Sequence, residues 1–228
     1  MEEAIKNLPQ KRSKLKNKQE VIKHIKSGMT LMVGGFLSQG MAINLINTLS
    51  EHKTDNLTII TNDPGKPNEG IGKLIRNRQI KNLYASHVGM NPEVGSQVQE
   101  ELLELHLVPQ GTLVERIRCG GFGLGGILTP VGLGTKVAEG KSTFKVEDRE
   151  YLVELPLKAD VALIKAHKGD ASGNLIYHGT SQNFNPMMAF AADLVIAEVD
   201  ELVEVGDLDP NQVITPGVLI DFLVVRGD

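Results

Sequence analysis

Gln39, Asn62, Asn91, Gln110 and Thr112 each stand in a turn-rich stretch just beyond an apolar run. Amide and hydroxyl groups set among bare backbone N–H groups are suited to stabilising the oxyanion of an acyl-transfer reaction, where one preplaced donor is worth about 3–4 kcal/mol. No nucleophile accompanies them. The histidines form no triad or metal-ligand pattern and no paired-carboxylate motif is evident, so the attacking group of such a reaction is missing from this reading.

The densest of these stretches is Gly34-Gly35-Phe36-Leu37-Ser38-Gln39-Gly40, which follows the apolar run Leu31-Met32-Val33 and opens a helix-patterned segment. A dinucleotide fingerprint would place glycine at 34, 36 and 39. The chain has Gly34, Phe36 and Gln39, so the turn is built to hold something else.

These residues need elements to position them, and β-like and α-like segments alternate along the chain. Strand patterns cover residues 29–33, 57–60, 80–87, 102–108, 160–165, 174–177 and 194–199; helix patterns cover 42–49, 71–77 and 186–192. A short helix capped by Asn17, with Glu20 three residues on, precedes them and stops at Gly28. Such alternation predicts an α/β fold: one domain with an open, mostly parallel sheet and helices on both faces. The turns at 34–40, 61–65, 88–92 and 109–112 then share the C-terminal rim of the sheet, where α/β folds bind ligands.

Composition narrows the function. With 228 residues the chain suits a single large core. A net charge of −4, 4% aromatics and no Trp argue against a nucleic-acid partner. The single cysteine, Cys119, excludes an internal disulfide, and no Cys/His spacing suits a metal. No apolar stretch approaches the roughly 18 residues of a membrane span, and the expected location is the cytoplasm. Residues 1–19, rich in lysine, read as a flexible basic extension, with the domain proper at 20–228.

At the level of motifs, residues 28–36 followed by Gly40 resemble the N-terminal signature of the α subunit of family I coenzyme A transferases. Ser27 replaces that signature's usual acidic residue or Asn, and Ala42 its proline. The central block, Leu107-Val108-Pro109-Gln110-Gly111-Thr112-Leu113 with Glu115 to Gly121, is also similar to the family, as are Asn183-Phe184-Asn185-Pro186 and Thr215-Pro216-Gly217-Val218. Within the family the chain looks most like the bacterial short-chain enzymes of the acetate or butyrate to acetoacetate type.

The resemblance implies a half-enzyme. A glutamate of the β subunit would attack the acyl-CoA thioester, and neither Glu-Asn-Gly nor Glu-Ser-Gly, the contexts of that nucleophile, occurs here. This chain would supply Gln110 as oxyanion donor and Gly34, Gly35, Phe36, Gly40, Asn62, Asn91 and Gly111 as the substrate and CoA wall. No cofactor is implied beyond coenzyme A as substrate. The partners implied are a β subunit in an α2β2 or larger assembly, acyl-CoA and a short-chain carboxylate, with no membrane or nucleic acid. A sugar-phosphate isomerase or deaminase, and an effector-binding module, stay open as alternatives on a similar fold. Locally, Asn185-Pro186 reads as a helix cap, Cys119 as a small buried residue, and the glycine-rich run 119–126 as a close backbone approach to a partner, a ligand or another loop.

Overall fold

The computed structural model describes residues 13–227. Its centre is an eight-stranded sheet. Strands β1 (Thr30–Val33), β2 (Leu57–Thr61), β3 (Ile80–Ala85) and β4 (Glu104–Leu107) run outward in one direction, and β8 (Ala159–Asp170), β10 (Ala192–Val203) and β11 (Phe222–Val225) in the other. The order is β11-β10-β8-β1-β2-β3-β4, parallel at every one of these pairings. The chain therefore reverses its direction of sheet growth between β1 and β8, the switch point at which a crevice opens beyond the strand ends.

Side-chain alternation divides the core into two layers. Leu31, Val33, Ile59, Leu163 and Ile196 face one side, where they meet helices α1 (Lys18–Ile22), α2 (Ile43–Glu51), α3 (Ile71–Arg76) and α4 (Pro92–Gln99). Met32, Ile60, Ala162, Ile164 and Ala197 face the other, under α5 (Gln110–Gly121) and α6 (Asn185–Phe190). Burial of both faces is why residues 31–33 of β1 and 161–164 of β8 read as unbroken apolar runs. No helix among the described residues is long and apolar enough to cross a membrane.

Several features depart from the sequence reading, and α4, α5 and β11 lie where it placed no element. A three-stranded antiparallel sheet, β5 (Ile127–Thr129), β7 (Arg149–Glu154) and β6 (Thr143–Val146), occupies a stretch without a predicted element. The segment read as a strand at 174–177 shrinks to β9 (Leu175–Ile176), and it pairs antiparallel with β8, outside the parallel alternation. The proposed cap at Asn185 is also corrected: Phe184 is the N-cap residue and makes no side-chain cap bond, while Asn185 lies inside α6, fully buried. Its side chain serves the site described below.

At the N-terminus, Asn17 does cap α1, its Oδ1 accepting the Glu20 N–H at 2.8 Å. Most of the basic extension, residues 1–12, lies outside the described residues. Residues 14–16 run along the sheet edge, with Leu15 bridged to Leu223.

Candidate functional site

The turn after β1 closes on itself. Phe36 and Gln39 exchange two backbone hydrogen bonds, both 2.9 Å, and the two residues between them, Leu37 and Ser38, hold φ at 46° and 70°. Positive φ at both central positions is the signature of a type I′ turn, normally given to Asn and Gly. For Leu and Ser it costs roughly 1–2 kcal/mol per residue, so the surrounding structure must hold the turn in place.

Polar side chains grip it from two sides. Asp63, 2% exposed, accepts the Leu37 N–H at 3.1 Å through Oδ2 and the Gly65 N–H at 2.9 Å through Oδ1. From the other side, Asn183 Oδ1 accepts the Gly35 N–H at 3.0 Å while its Nδ2 donates to Gln39 O at 3.0 Å. Asn185 Nδ2 donates to Gly40 O at 2.9 Å, and its Oδ1 accepts the Lys165 N–H of β8 at 2.9 Å. The glycines are what let these amides approach. A Cβ at Gly34 would overlap the Asn185 side-chain oxygen, and one at Gly40, already at φ +70°, would overlap the Ser181 carbonyl.

Across from the turn, α5 begins at Gln110 without a side-chain cap, so its first N–H groups have no intrahelical acceptor. Gln110 is exposed, and its Nε2 donates to Asn62 Oδ1 at 2.6 Å. Between the turn and α5 lies a groove of about 650 Å³ lined by Phe36, Gln39, Gln110, Gly111, Asn183 and Phe184, with Val114 and Thr180 completing it. A Cβ at Gly111 would meet nothing within 4 Å, so glycine there keeps the groove clear beside Gln110. The arrangement offers amide donors, a helix start and apolar walls, which suits a polar head on an acyl or thioester chain.

The sequence and fold match known proteins. The family profile described as Coenzyme A transferase matches residues 16–226. The chain belongs to the coenzyme A transferase family. It is 47% identical over 217 residues to an acetate CoA-transferase subunit alpha of Escherichia coli K12, covering 95% of this chain and 99% of that one. It is 53% identical over 199 residues to an acetoacetyl-CoA:acetate/butyrate CoA transferase alpha subunit of Clostridium acetobutylicum, covering 87% and 91%. Among solved structures, an acyl-CoA transferase of E. coli O157:H7 superposes with a TM-score of 0.82 at 23% identity; 95% of this chain spans 48% of that one, about half its length. Glutaconate coenzyme A-transferase of Acidaminococcus fermentans follows the same fold, with a TM-score of 0.80 at 17% identity, over 93% of this chain and 75% of that one.

Of the wall residues expected for this transferase chain, Phe36, Gln110 and Gly111 line the groove together. Gly34, Gly35 and Gly40 lie in the turn that backs it. Asn62, 1% exposed, sits behind Gln110. Asn91, also 1% exposed, is a helix cap: Oδ1 accepts the Glu93 N–H of α4 at 3.2 Å, and Nδ2 is buried without a hydrogen-bond partner among the described residues. The sequence reading missed Asp63, Asn185, Val114 and Phe184 as parts of the site. Asp63 and Asn185 act on backbone more than 20 residues away, and no local motif signals that.

On the far side of the same turn a second cavity of about 320 Å³ is lined by Gln39, Gly40, Lys165, His178, Glu198 and Asp200, among others. It is rich in charge, and its central charges serve one another. Lys165 Nζ, in a residue 8% exposed, sits 2.7 Å from Asp200 Oδ2 and donates to Ala166 O at 2.7 Å, while Arg226 Nη1 lies 3.1 Å from Asp200 Oδ1. Partial burial pushes the Asp200 carboxyl up, yet the bonds and charges of Lys165 and Arg226 outweigh it and hold the group below the usual range. Glu198 accepts the N–H groups of Asn44 at 3.0 Å and Leu45 at 3.1 Å, supplying α2 with the cap that Ala42 cannot. Burial raises its pKa above the ordinary value, opposed by those N–H groups and by Lys165.

Proposed function

We propose that this chain is the α subunit of a cytoplasmic CoA-transferase that moves coenzyme A between short-chain acyl-CoA and free acids of the acetate, butyrate and acetoacetate type. The observation that carries the reading is Gln110: an amide N–H donor at the mouth of an apolar groove, beside the start of a helix. Near-complete coverage of relatives named as alpha subunits supports it.

In this reading a glutamate of a β subunit, in an α2β2 or larger assembly, attacks the thioester carbonyl. The carbonyl oxygen gains negative charge in the tetrahedral intermediate, and Gln110 donates its second amide N–H to it. CoA thiolate leaves and a mixed anhydride forms on the glutamate. The thiolate then attacks the glutamyl carbonyl, releasing the first carboxylate, and the resulting glutamyl-CoA thioester reacts in reverse with the second acid. Phe36, Val114 and Phe184 contact the acyl chain and exclude water from the anhydride. Phe36 and Gly111 face CoA, with Gly34, Gly35 and Gly40 behind them, and Asn62 and Asn91 support the wall from inside.

The test is CoA transfer from acetoacetyl-CoA to acetate and to butyrate, with this chain alone and with its β subunit. Transfer by the pair only is expected. Transfer by this chain alone would overturn the division of labour, and inactivity of the pair would overturn the substrate reading.

A further inference from the structure

Asn62 belongs to a relay whose direction is set by charge. Its Nδ2 lies 2.7 Å from Asp63 Oδ2, and its Oδ1 lies 2.6 Å from Gln110 Nε2 and 2.8 Å from Ser86 Oγ. An ionised carboxylate accepts and does not donate. The Asn62 amide must therefore turn its nitrogen to Asp63, because the flipped rotamer would set two oxygens against each other between residues 1% and 2% exposed. With its nitrogen committed to Asp63, Asn62 presents oxygen to Gln110, and Gln110 must answer with N–H. The Ser86 hydroxyl has one proton, and the Asn62 backbone carbonyl already receives the Ser86 N–H at 2.9 Å and the His87 N–H at 3.3 Å. Ser86 Oγ also lies 2.9 Å from that backbone carbonyl, so its one proton is shared between the two oxygens, and as a donor toward Oδ1 it favours the same orientation of the Asn62 amide.

We infer that Asn62 is a positioning residue for the transferase reaction: by holding the Gln110 amide with its nitrogen toward Asn62 and one N–H already engaged, it fixes where the remaining N–H points. The charge that orients the pair comes from Asp63, whose Oδ2 also holds the Leu37 N–H of the strained turn. One carboxylate thereby sets both the donor and the opposite wall of the groove. Without Asn62 the Gln110 side chain, exposed and on the first residue of a helix, turns freely about its own bonds and presents oxygen or nitrogen indifferently. An oxygen there repels the developing oxyanion.

This inference rests on the oxyanion role proposed for Gln110, and the experiment separates the two. Asn62→Ala, Asn62→Ser, Gln110→Ala and the two double variants are made in the chain assembled with its β subunit, and kcat, KM and thermal unfolding are measured for each. Misplacing one group by about 1 Å costs on the order of 10²-fold, so Asn62→Ala and Asn62→Ser are expected to lower kcat by about 10- to 100-fold with KM changed less than about threefold. In the Gln110→Ala background the same substitutions are expected to change kcat by less than about threefold, because Asn62 then has nothing to orient. Equal losses in both backgrounds would overturn the inference while leaving Gln110 in its role. Failure of both Asn62 variants to assemble would overturn it too, by showing that the fold needs Asn62 more than Gln110 does. Near-normal turnover of Gln110→Ala alone would overturn the oxyanion reading and this inference with it.

Discussion

The turn at 34–40 has a cavity on each side, and the two are built on opposite plans. The Lys165–Asp200–Arg226 side is crowded with charge, yet those three groups are met by one another, and its buried carboxylate, Glu198, is occupied as a helix cap. The Gln110 side holds few polar groups, and its amide has an N–H beyond the one engaged by Asn62. The contrast teaches that charge density is a poor guide to chemistry. On the proposed reading, what marks the site is a donor with hydrogen-bonding capacity left over, held by Asn62 from the buried layer beneath.

Five variants test that contrast, in falling order of effect. Gln110→Ala should lower kcat by about 10²–10³-fold with the assembly intact, as read by steady-state transfer and gel filtration. Gly40→Ala places a Cβ into the Ser181 carbonyl at positive φ; an expected loss of about 3 kcal/mol would lower Tm by roughly 6–12 °C. An unchanged melting curve would mean that the amide clamp is loose.

The charged side should respond in stability and not in turnover. The Asp200 pKa is lowered in the fold, so its contribution is present above the ordinary carboxylate pKa and is lost as pH falls through the lowered one. Asp200→Asn should flatten that acid limb. Glu198 has the opposite sign: its raised pKa gives a contribution present below the ordinary carboxylate pKa and lost as pH rises through the raised one, so Glu198→Gln should flatten the rising limb. Melting temperature against pH reads both, and a collapse of kcat in folded Asp200→Asn would break the contrast between the cavities. The smallest effect is expected from Leu37→Asn with Ser38→Gly, which suits the turn to its φ values and should raise Tm by about 2–4 °C for ~1 kcal/mol relieved. A fall in Tm would show that the turn carries no strain.

How much of this was legible in the sequence follows from where each signal sits. Buried parallel strands announce themselves, since Leu31-Met32-Val33 and the run 161–164 must be apolar on both faces. The ends of β8 and β10 did not, because beyond Ala166 and Val199 the paired strands carry Lys168, Glu201 and other polar residues. Strand β6 was invisible for the same reason, all four of its residues being exposed. Gln110 was reached through its motif. Asn185 misled, because Asn-Pro is locally a cap signal and only the folded chain brings Gly40 and Lys165 to its amide. Asp63 was read only as part of a turn, since its role depends on Leu37, 26 residues away.

The short pairing of residues 14–16 with β11 has a bearing on assembly. Lys16 N–H donates to Leu223 O at 2.9 Å and Leu223 N–H donates to Lys14 O at 2.8 Å, so the outermost strand is covered by the chain's own leading segment. An uncovered strand is a template on which a second copy can add its own. For a chain proposed to pair with a different subunit, an edge that welcomes its own kind is a poor design, and shortening the chain past Lys16 should bring self-association.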